Sequence, residues 1–259
     1  MSQHVQAADA SPAKPGALKE TFELIKTIVY ALAIAFVIRV LLFQPFTIPS
    51  ASMEPNLLIG DYIIVSKYSY GYSRHSIPLS PPLFKGRIFE RTPHRGDVIV
   101  FKLPSDGKKD YIKRLIGLPG DRIRMINGAL YINGQPVPRR YEGVGIDESP
   151  YGADRPFKKI RETFDSGASF ITADSDETDV DNTEEYVVPE GHYFFMGDNR
   201  DNSSDSRVSP LAGGVGFVPA ENLQGKAEVV LLSWNQASLL KPWTWFTTAR
   251  PDRFFKLVK

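Results

Sequence analysis

Residues 124–138 read RMINGALYINGQPVP, and the two Asn-Gly pairs in that stretch decide how the chain folds. Asn127-Gly128 and Asn133-Gly134 each suit a two-residue hairpin turn, because both residue types tolerate positive φ at the central positions. The same punctuation continues outward. LLIGDYIIVSK (57–67), RGDVIVFKLP (95–104), YIKRLIGLPGD (111–121) and YVVPEGHYFFMGDN (186–199) are short β-favouring runs broken by Gly, Pro and Asn. With 20 Gly, 20 Pro and 12% aromatic residues, this pattern predicts a mostly β protein. Residues 72–95 read as a long loop rich in Pro and basic side chains. Residues 141–185 read as a charged, irregular excursion from the main sheet, and approximately 122–190 form a smaller β-rich part.

The N-terminal end is built differently. Residues 27–43, TIVYALAIAFVIRVLLF, carry one charge, and extension back to Phe22 gives a span over 22–43 long enough to cross a bilayer as a helix. Residues 1–21 read as a flexible tail, since Met1 to Gly16 hold almost no large apolar residue to offset the entropy of ordering. Lys14, Lys19 and Lys26 precede the apolar run 27–43, whereas beyond Phe43 no Lys or Arg follows until Lys67. That asymmetry predicts a cytoplasmic N-terminus and an exported part over 44–259. Ser50-Ala51-Ser52 also offers the small-x-small pattern of a cleaved export signal, but the apolar run is long for one and Gln44-Pro45-Phe46 reads as an intervening turn. Trp243, Trp245 and Phe246 suit either an aromatic contact with headgroups or packing within the domain.

Composition narrows the chemistry. Thirty-one Lys and Arg against 30 Asp and Glu give a net charge of +1, too weak a field to gather nucleic acid. The absence of Cys removes disulfides, thiolate zinc sites and thiol nucleophiles. His4, His75, His94 and His192 are scattered without ligand spacing and read as ordinary surface or packing residues, so no metal site is expected from them. The acidic run from Asp174 to Glu185 lacks the glycine and ligand spacing of an EF-hand and reads as a solvated loop. Any nucleophile is then Ser, Thr, Lys or a carboxylate.

Three serine motifs compete. Asp165-Ser166-Gly167 has no His and Asp partners to complete a triad. Ser105-Asp106-Gly107-Lys108 matches the Ser-x-x-Lys of penicillin-recognising enzymes, but Pro104, Asp106 and Gly107 make it a turn where that chemistry needs a helix start. The third is Pro49-Ser50-Ala51-Ser52-Met53-Glu54-Pro55, immediately after the apolar span. It is accompanied by Tyr111-Ile112-Lys113-Arg114 in a strand-like run and by GDNRDNSSDSR at 197–207. Alternating Asp and Arg in that block can satisfy one another, either bracing a site or forming a purely structural turn.

Taken in order, LLFQPFTIPSASMEPNLLIGDYIIVSK (41–67), RGDVIVF, YIKRLIGLPGD, GDNRDNSSDSR and GFVPAENLQGKA (216–227) resemble the bacterial signal peptidase I family. The resemblance implies a β-rich catalytic domain with a β-ribbon excursion, held at the outer, periplasmic face of the inner membrane; this sequence has one clear span, where some members of the family have two. It also implies a Ser/Lys dyad without cofactor or metal, acting on signal peptides of exported preproteins after small-x-small sequences. Carried over by position, Ser52 matches the nucleophile and Lys113 the general base, Ser50 joins the Ser52 N–H in the oxyanion hole, and Ser203, supported by Asp205, orients the lysine. Phe46, Ile48, Leu57 and Ile112 match pocket-lining positions. Arg114, Asp198, Arg200 and Arg207 match bracing positions. A monomer working with the lipid bilayer and the preprotein, and without nucleic acid, is expected. The other readings open to the residues are a penicillin-recognising Ser/Lys acyl-transfer enzyme and a non-enzymatic single-pass exported scaffold.

A free lysine has a pKa of roughly 10.4, so a lysine base at neutral pH must be desolvated. A nearby unshielded carboxylate would oppose that shift. Asp205 is therefore expected to act through Ser203 or an arginine, not by pairing with Lys113.

Overall fold

A computed structural model describes residues 16–147, 155–235 and 243–259, and the chain divides into two units, Met1–Arg39 and Val40–Lys259. Helix α1 (Ala17–Leu41) supplies nearly all of the described part of the first unit, and its last two residues, Val40 and Leu41, belong to the second. Glu20 in its first turn and Arg39 in its last complement the helix dipole. Apolar side chains such as Phe22, Leu32, Ile34 and Phe36 are exposed around it, and Lys19–Leu41 is long and apolar enough to cross a membrane.

The helix bounds differ from the expected 22–43 at both ends. Ala17–Thr21, assigned to the tail, is helical, since nothing in ALKET breaks a helix after Gly16; the rest of the tail, 1–15, lies outside the described residues. At the other end Phe43 is not helical. Phe43–Thr47 forms strand β1, paired antiparallel with β2 (Asp61–Ser66), so Gln44-Pro45-Phe46 is extended and not a turn. Pro45 has no N–H to give, which suits the sheet edge where β1 lies.

The second unit is β throughout its core. Strands β3 (Val98–Lys102) and β4 (Asp110–Gly117) lead into β5 (Arg122–Ile126), β6 (Ala129–Ile132) and β7 (Gln135–Pro136). Then come β8 (Arg139–Ile146), β9 (Pro156–Thr163), β10 (Ser169–Asp174) and β11 (Tyr186–Val187). The chain closes with β12 (His192–Met196), β13 (Val218–Pro219), β14 (Leu223–Ser233) and β15 (Lys256–Leu257). The main sheet runs β1-β2-β14-β3-β4-β12-β13, with β15 also on β14, and its strand pairs are antiparallel. Side chains alternate across β3: Val98 and Val100 pack with Ile48, Met53, Leu57, Ile63 and Val230, while Ile99 and Phe101 pack with Leu115, Phe195 and Leu223. Both faces of β3 are therefore covered, which explains its unbroken VIVF run.

Both Asn-Gly pairs make their turns. Asn127 and Gly128, then Asn133 and Gly134, all have positive φ and join β5, β6 and β7 into a sheet that β11 completes. Residues 72–95 are irregular, as expected, with a single-turn helix at Arg74–Ser76 and a bridge from Tyr72 to Ile88. Of residues 141–185, 148–154 lie outside the described residues, and the rest are more regular than the direct reading of that stretch. There β8, β9 and β10 form a three-stranded antiparallel ribbon, because Phe157, Ile160, Glu162 and Phe170 turn inward beneath charged outward neighbours. Ser105 lies in the turn Pro104–Asp106 after β3, and Ser166 in the turn before β10.

Candidate active site

Ser50 is extended and exposed, and the chain then tightens into a single 3-10 turn over Ala51–Met53. That turn buries Ser52, and its Met53 side chain drops into the core below β2 and β3. Lys113, in β4 opposite Ile99 of β3, is only 3% exposed. Its Nζ donates to Ser52 Oγ at 2.5 Å and to the Ile112 carbonyl at 3.1 Å. Burial lowers its pKa to about 8, against the opposing fields of Asp205 and Asp198 and with help from Arg207. Ser50 Oγ lies 3.4 Å from Ser52 Oγ.

The 197–207 block packs against this turn. Asn199 donates its backbone N–H to the Ser52 carbonyl at 3.1 Å and its side-chain amide to the Ala51 carbonyl at 3.2 Å. Asp198 receives a two-pronged bond from Arg114 at 2.7 and 2.6 Å and a third bond from Asn56 at 2.7 Å. Arg200 is paired in the same two-pronged way with Glu162 of β9, at 2.7 and 2.5 Å. Arg207 and Asp205 are fully buried together, and Asp205 also accepts the Gly197 N–H at 2.9 Å. Burial alone would raise the Asp205 pKa, yet the Arg207 guanidinium and two backbone N–H donors hold it below the ordinary carboxylate range.

The bracing residues are thus brought together around the turn. Ser203 is close by, but its Oγ is buried and has no hydrogen-bond partner among the described residues. It makes no bond to Lys113. It lies against Gly197, where an added Cβ would fall 2.2 Å from that oxygen. Of the pocket positions, Phe46 and Ile112 keep partial exposure, whereas Ile48 and Leu57 are sealed in the core against which those two pack.

Sequence reading missed Asn199, Asn56 and Glu162, and also the strap at the C-terminal end. There Arg253 binds Asp61 through two bonds, at 2.9 and 2.5 Å, and the Asn56 carbonyl at 2.9 Å, pinning the loop that follows the Ser52 turn. Glu162 left a signal: Ile160, Glu162 and Phe164 share an inward period, so an acid there demanded a buried cation.

Residues 21–234 match the family model described as signal peptidase, peptidase S26. The chain belongs to the signal peptidase S26 family. Among curated S26-type relatives, the signal peptidase I of Rickettsia typhi is 42% identical over 248 residues, covering 88% of this chain and 90% of its own. That of Rickettsia canadensis is 41% identical over 260 residues, covering 92% and 94%. A solved signal peptidase I from Enterococcus faecalis is 28% identical, covers 52% of this chain and 97% of its own, and superposes with a TM-score of 0.32. As an S26 family member the chain is a peptidase, and the Ser52 turn with Lys113 is the candidate for its active site.

Proposed function

We propose that the chain removes signal peptides from exported precursor proteins, with Ser52 as nucleophile and Lys113 as general base. The observation that carries this reading is the 2.5 Å contact between Ser52 Oγ and a lysine buried enough to have a pKa of about 8. A lysine so placed is neutral in a useful fraction of molecules near physiological pH and accepts the Ser52 proton. Ser52 Oγ attacks the carbonyl before the scissile bond and forms an acyl-enzyme. The proton passes through Lys113 to the departing amine, and Lys113 then activates water for deacylation. Charge developing on the carbonyl oxygen is met by the Ser52 N–H and the Ser50 hydroxyl. In neutral Lys113 the lone pair faces Ser52 and one N–H goes to Ile112; the reading gives Ser203, whose Oγ has no partner among the described residues, the role of accepting the second N–H once its hydroxyl turns toward Nζ.

Strand β12 pairs with β4 only from Arg114 onward, so the Asp110–Lys113 edge of β4 away from β3 is open to an added substrate strand. Ile112 and Phe46 beside it offer shallow apolar surface suited to small side chains, and hence to cleavage after small-x-small sequences.

The same reading places α1 across the bacterial inner membrane, its lysine-flanked start in the cytoplasm and residues 44–259 at the outer face. The Tyr72 hydroxyl donates to the Leu41 carbonyl at the end of that helix, and Phe43, Tyr68, Ile88 and Phe89 are exposed near it. Trp243, Trp245 and Phe246 add a second exposed aromatic patch for the lipid surface. Confinement beside the substrate's own apolar segment raises its effective concentration at Ser52. The same reading takes the enzyme to work as a monomer on its preprotein substrate.

The test is cleavage of a precursor protein in detergent, with the new N-terminus sequenced. Wild type should cut after a small-x-small sequence, and Ser52→Ala and Lys113→Ala should both be inactive. Cleavage by Lys113→Ala would overturn the dyad.

A further inference from the structure

We infer that Asn199 is a positioning residue for the oxyanion hole, fixing the orientation of the nucleophile's own peptide groups. The inference rests on the dyad reading above and goes beyond it. Asn199 grips the chain on both sides of Ser52: its side-chain amide holds the Ala51 carbonyl and its backbone N–H holds the Ser52 carbonyl. The Ala51 carbonyl belongs to the peptide unit whose N–H is that of Ser52. In a planar trans peptide the two point in opposite directions, so seating the carbonyl aims the N–H. The Ser52 carbonyl belongs to the next peptide unit. With both planes fixed, φ and ψ of Ser52 are fixed, and with them the direction of its Cα–Cβ bond.

The Ala51 carbonyl also accepts the Glu54 N–H at 3.0 Å, so two donors converge on it. A peptide carbonyl that accepts hydrogen bonds is polarised, which strengthens its own N–H as a donor. That is the direction an oxyanion needs. Only the NH2 side of an Asn can meet a carbonyl oxygen, so the amide orientation follows from the partner.

What holds Asn199 is equally specific. Its two chain neighbours are each locked by a buried ion pair, Asp198 by Arg114 and Arg200 by Glu162. The Asp198 carbonyl and the Arg200 N–H bracket Ala173 of β10 in a parallel bridge. Glu162 of the ribbon thereby acts on Ser52 from a distance, through Arg200 and Asn199, without touching the reacting atoms.

The experiment compares full-length wild type, Asn199→Ala, Asn199→Asp and Glu162→Gln on a precursor protein across pH, with Ser52→Ala as the reference for the dyad. Loss of an oxyanion donor lowers kcat by roughly 100- to 1,000-fold, and misorienting one should lower it by about 10- to 100-fold. Expected for Asn199→Ala is that fall in kcat with KM within twofold and the pH midpoint set by Lys113 unmoved. Asn199→Asp, which presents a carboxylate to the Ala51 carbonyl, should be worse. Glu162→Gln should lower kcat several-fold in the same manner, which keeps the test open if the Asn199 variants fail to fold. A kcat within twofold of wild type in both Asn199 variants, or a fall matched by a shifted pH midpoint and a raised KM, would overturn the positioning role. An active Ser52→Ala would instead overturn the dyad itself.

Discussion

Arg207 and Asp205 form an ion pair 2.9 Å apart in which neither side chain reaches solvent, and both charges act on Lys113 with opposite sign. Asp205 raises the lysine pKa and Arg207 lowers it by less, so the guanidinium offsets part of the carboxylate's effect at Nζ while the pair braces the 197–207 block. Asp205→Asn removes the raising member and leaves the guanidinium. The pH midpoint of cleavage should therefore fall below the wild-type value. The same change strands a buried cation and should cost about 3–5 kcal/mol of stability. A pH–rate profile of kcat/KM beside a urea melt checks both; an alkaline shift of the midpoint would contradict the assignment.

Lys113 links activity to stability through one proton. Its folded pKa of about 8 lies below the ordinary lysine value, so the unfolded chain binds the extra proton between about pH 8 and 10.5. Cleavage should rise through a midpoint near 8. Stability should also rise with pH across that window, and below it the full cost of burying the ammonium is present. At 1.36 kcal/mol per unit that cost is on the order of 3 kcal/mol. Lys113→Met should thus be inactive yet more stable than wild type at pH 7, with the difference shrinking as pH approaches 10.5. Paired denaturation curves at pH 7 and pH 10 measure it.

How far the sequence reveals this molecule depends on the range of each interaction. The strands and both Asn-Gly turns are legible because turn chemistry and alternation are local. Ser52, Lys113 and the Asp and Arg block are legible as a set only through their order along the chain. What joins them is not local: Lys113 is 61 residues from Ser52, and Asn199 reaches Ala51 across 148. Over 141–185 the residues alone read as irregular, and only the family resemblance implies a ribbon, because the outward faces are so charged that the inward period of Phe157, Ile160 and Glu162 is diluted. The helix end at Leu41 was misplaced because an apolar run continues into β1, and composition does not separate an apolar helix from an apolar strand.

Ser50 is exposed and its hydroxyl caps no backbone group, so it contributes little to the fold. Its oxygen is 3.4 Å from Ser52 Oγ. Ser50→Ala should leave the melting temperature unchanged while lowering kcat by about 100-fold or more, the loss of one oxyanion donor. Ser50→Thr keeps the hydroxyl and should recover a large part of the rate. Full activity in Ser50→Ala, read in single-turnover assays, would remove the residue from the hole.

Gly197 sits where the block has no room for a side chain beside the nucleophile turn. A Cβ built there would meet Ser203 Oγ at 2.2 Å, Ser203 Cβ at 2.5 Å and the Ser52 carbonyl oxygen at 2.5 Å, well inside contact distance. Ser203 can turn its hydroxyl away, but the Ser52 carbonyl is backbone already held by Asn199 and must shift bodily. Displacement of reacting groups by about 1 Å can cost 100-fold in rate. Gly197→Ala should therefore lose at least that factor in kcat/KM while the β-rich unit stays folded, because the clash is confined to the site. Circular dichroism alongside precursor cleavage separates the two effects. Near-wild-type cleavage would mean that the turn carrying Ser52 has room to move, and the fixed geometry argued for the nucleophile would fail with it.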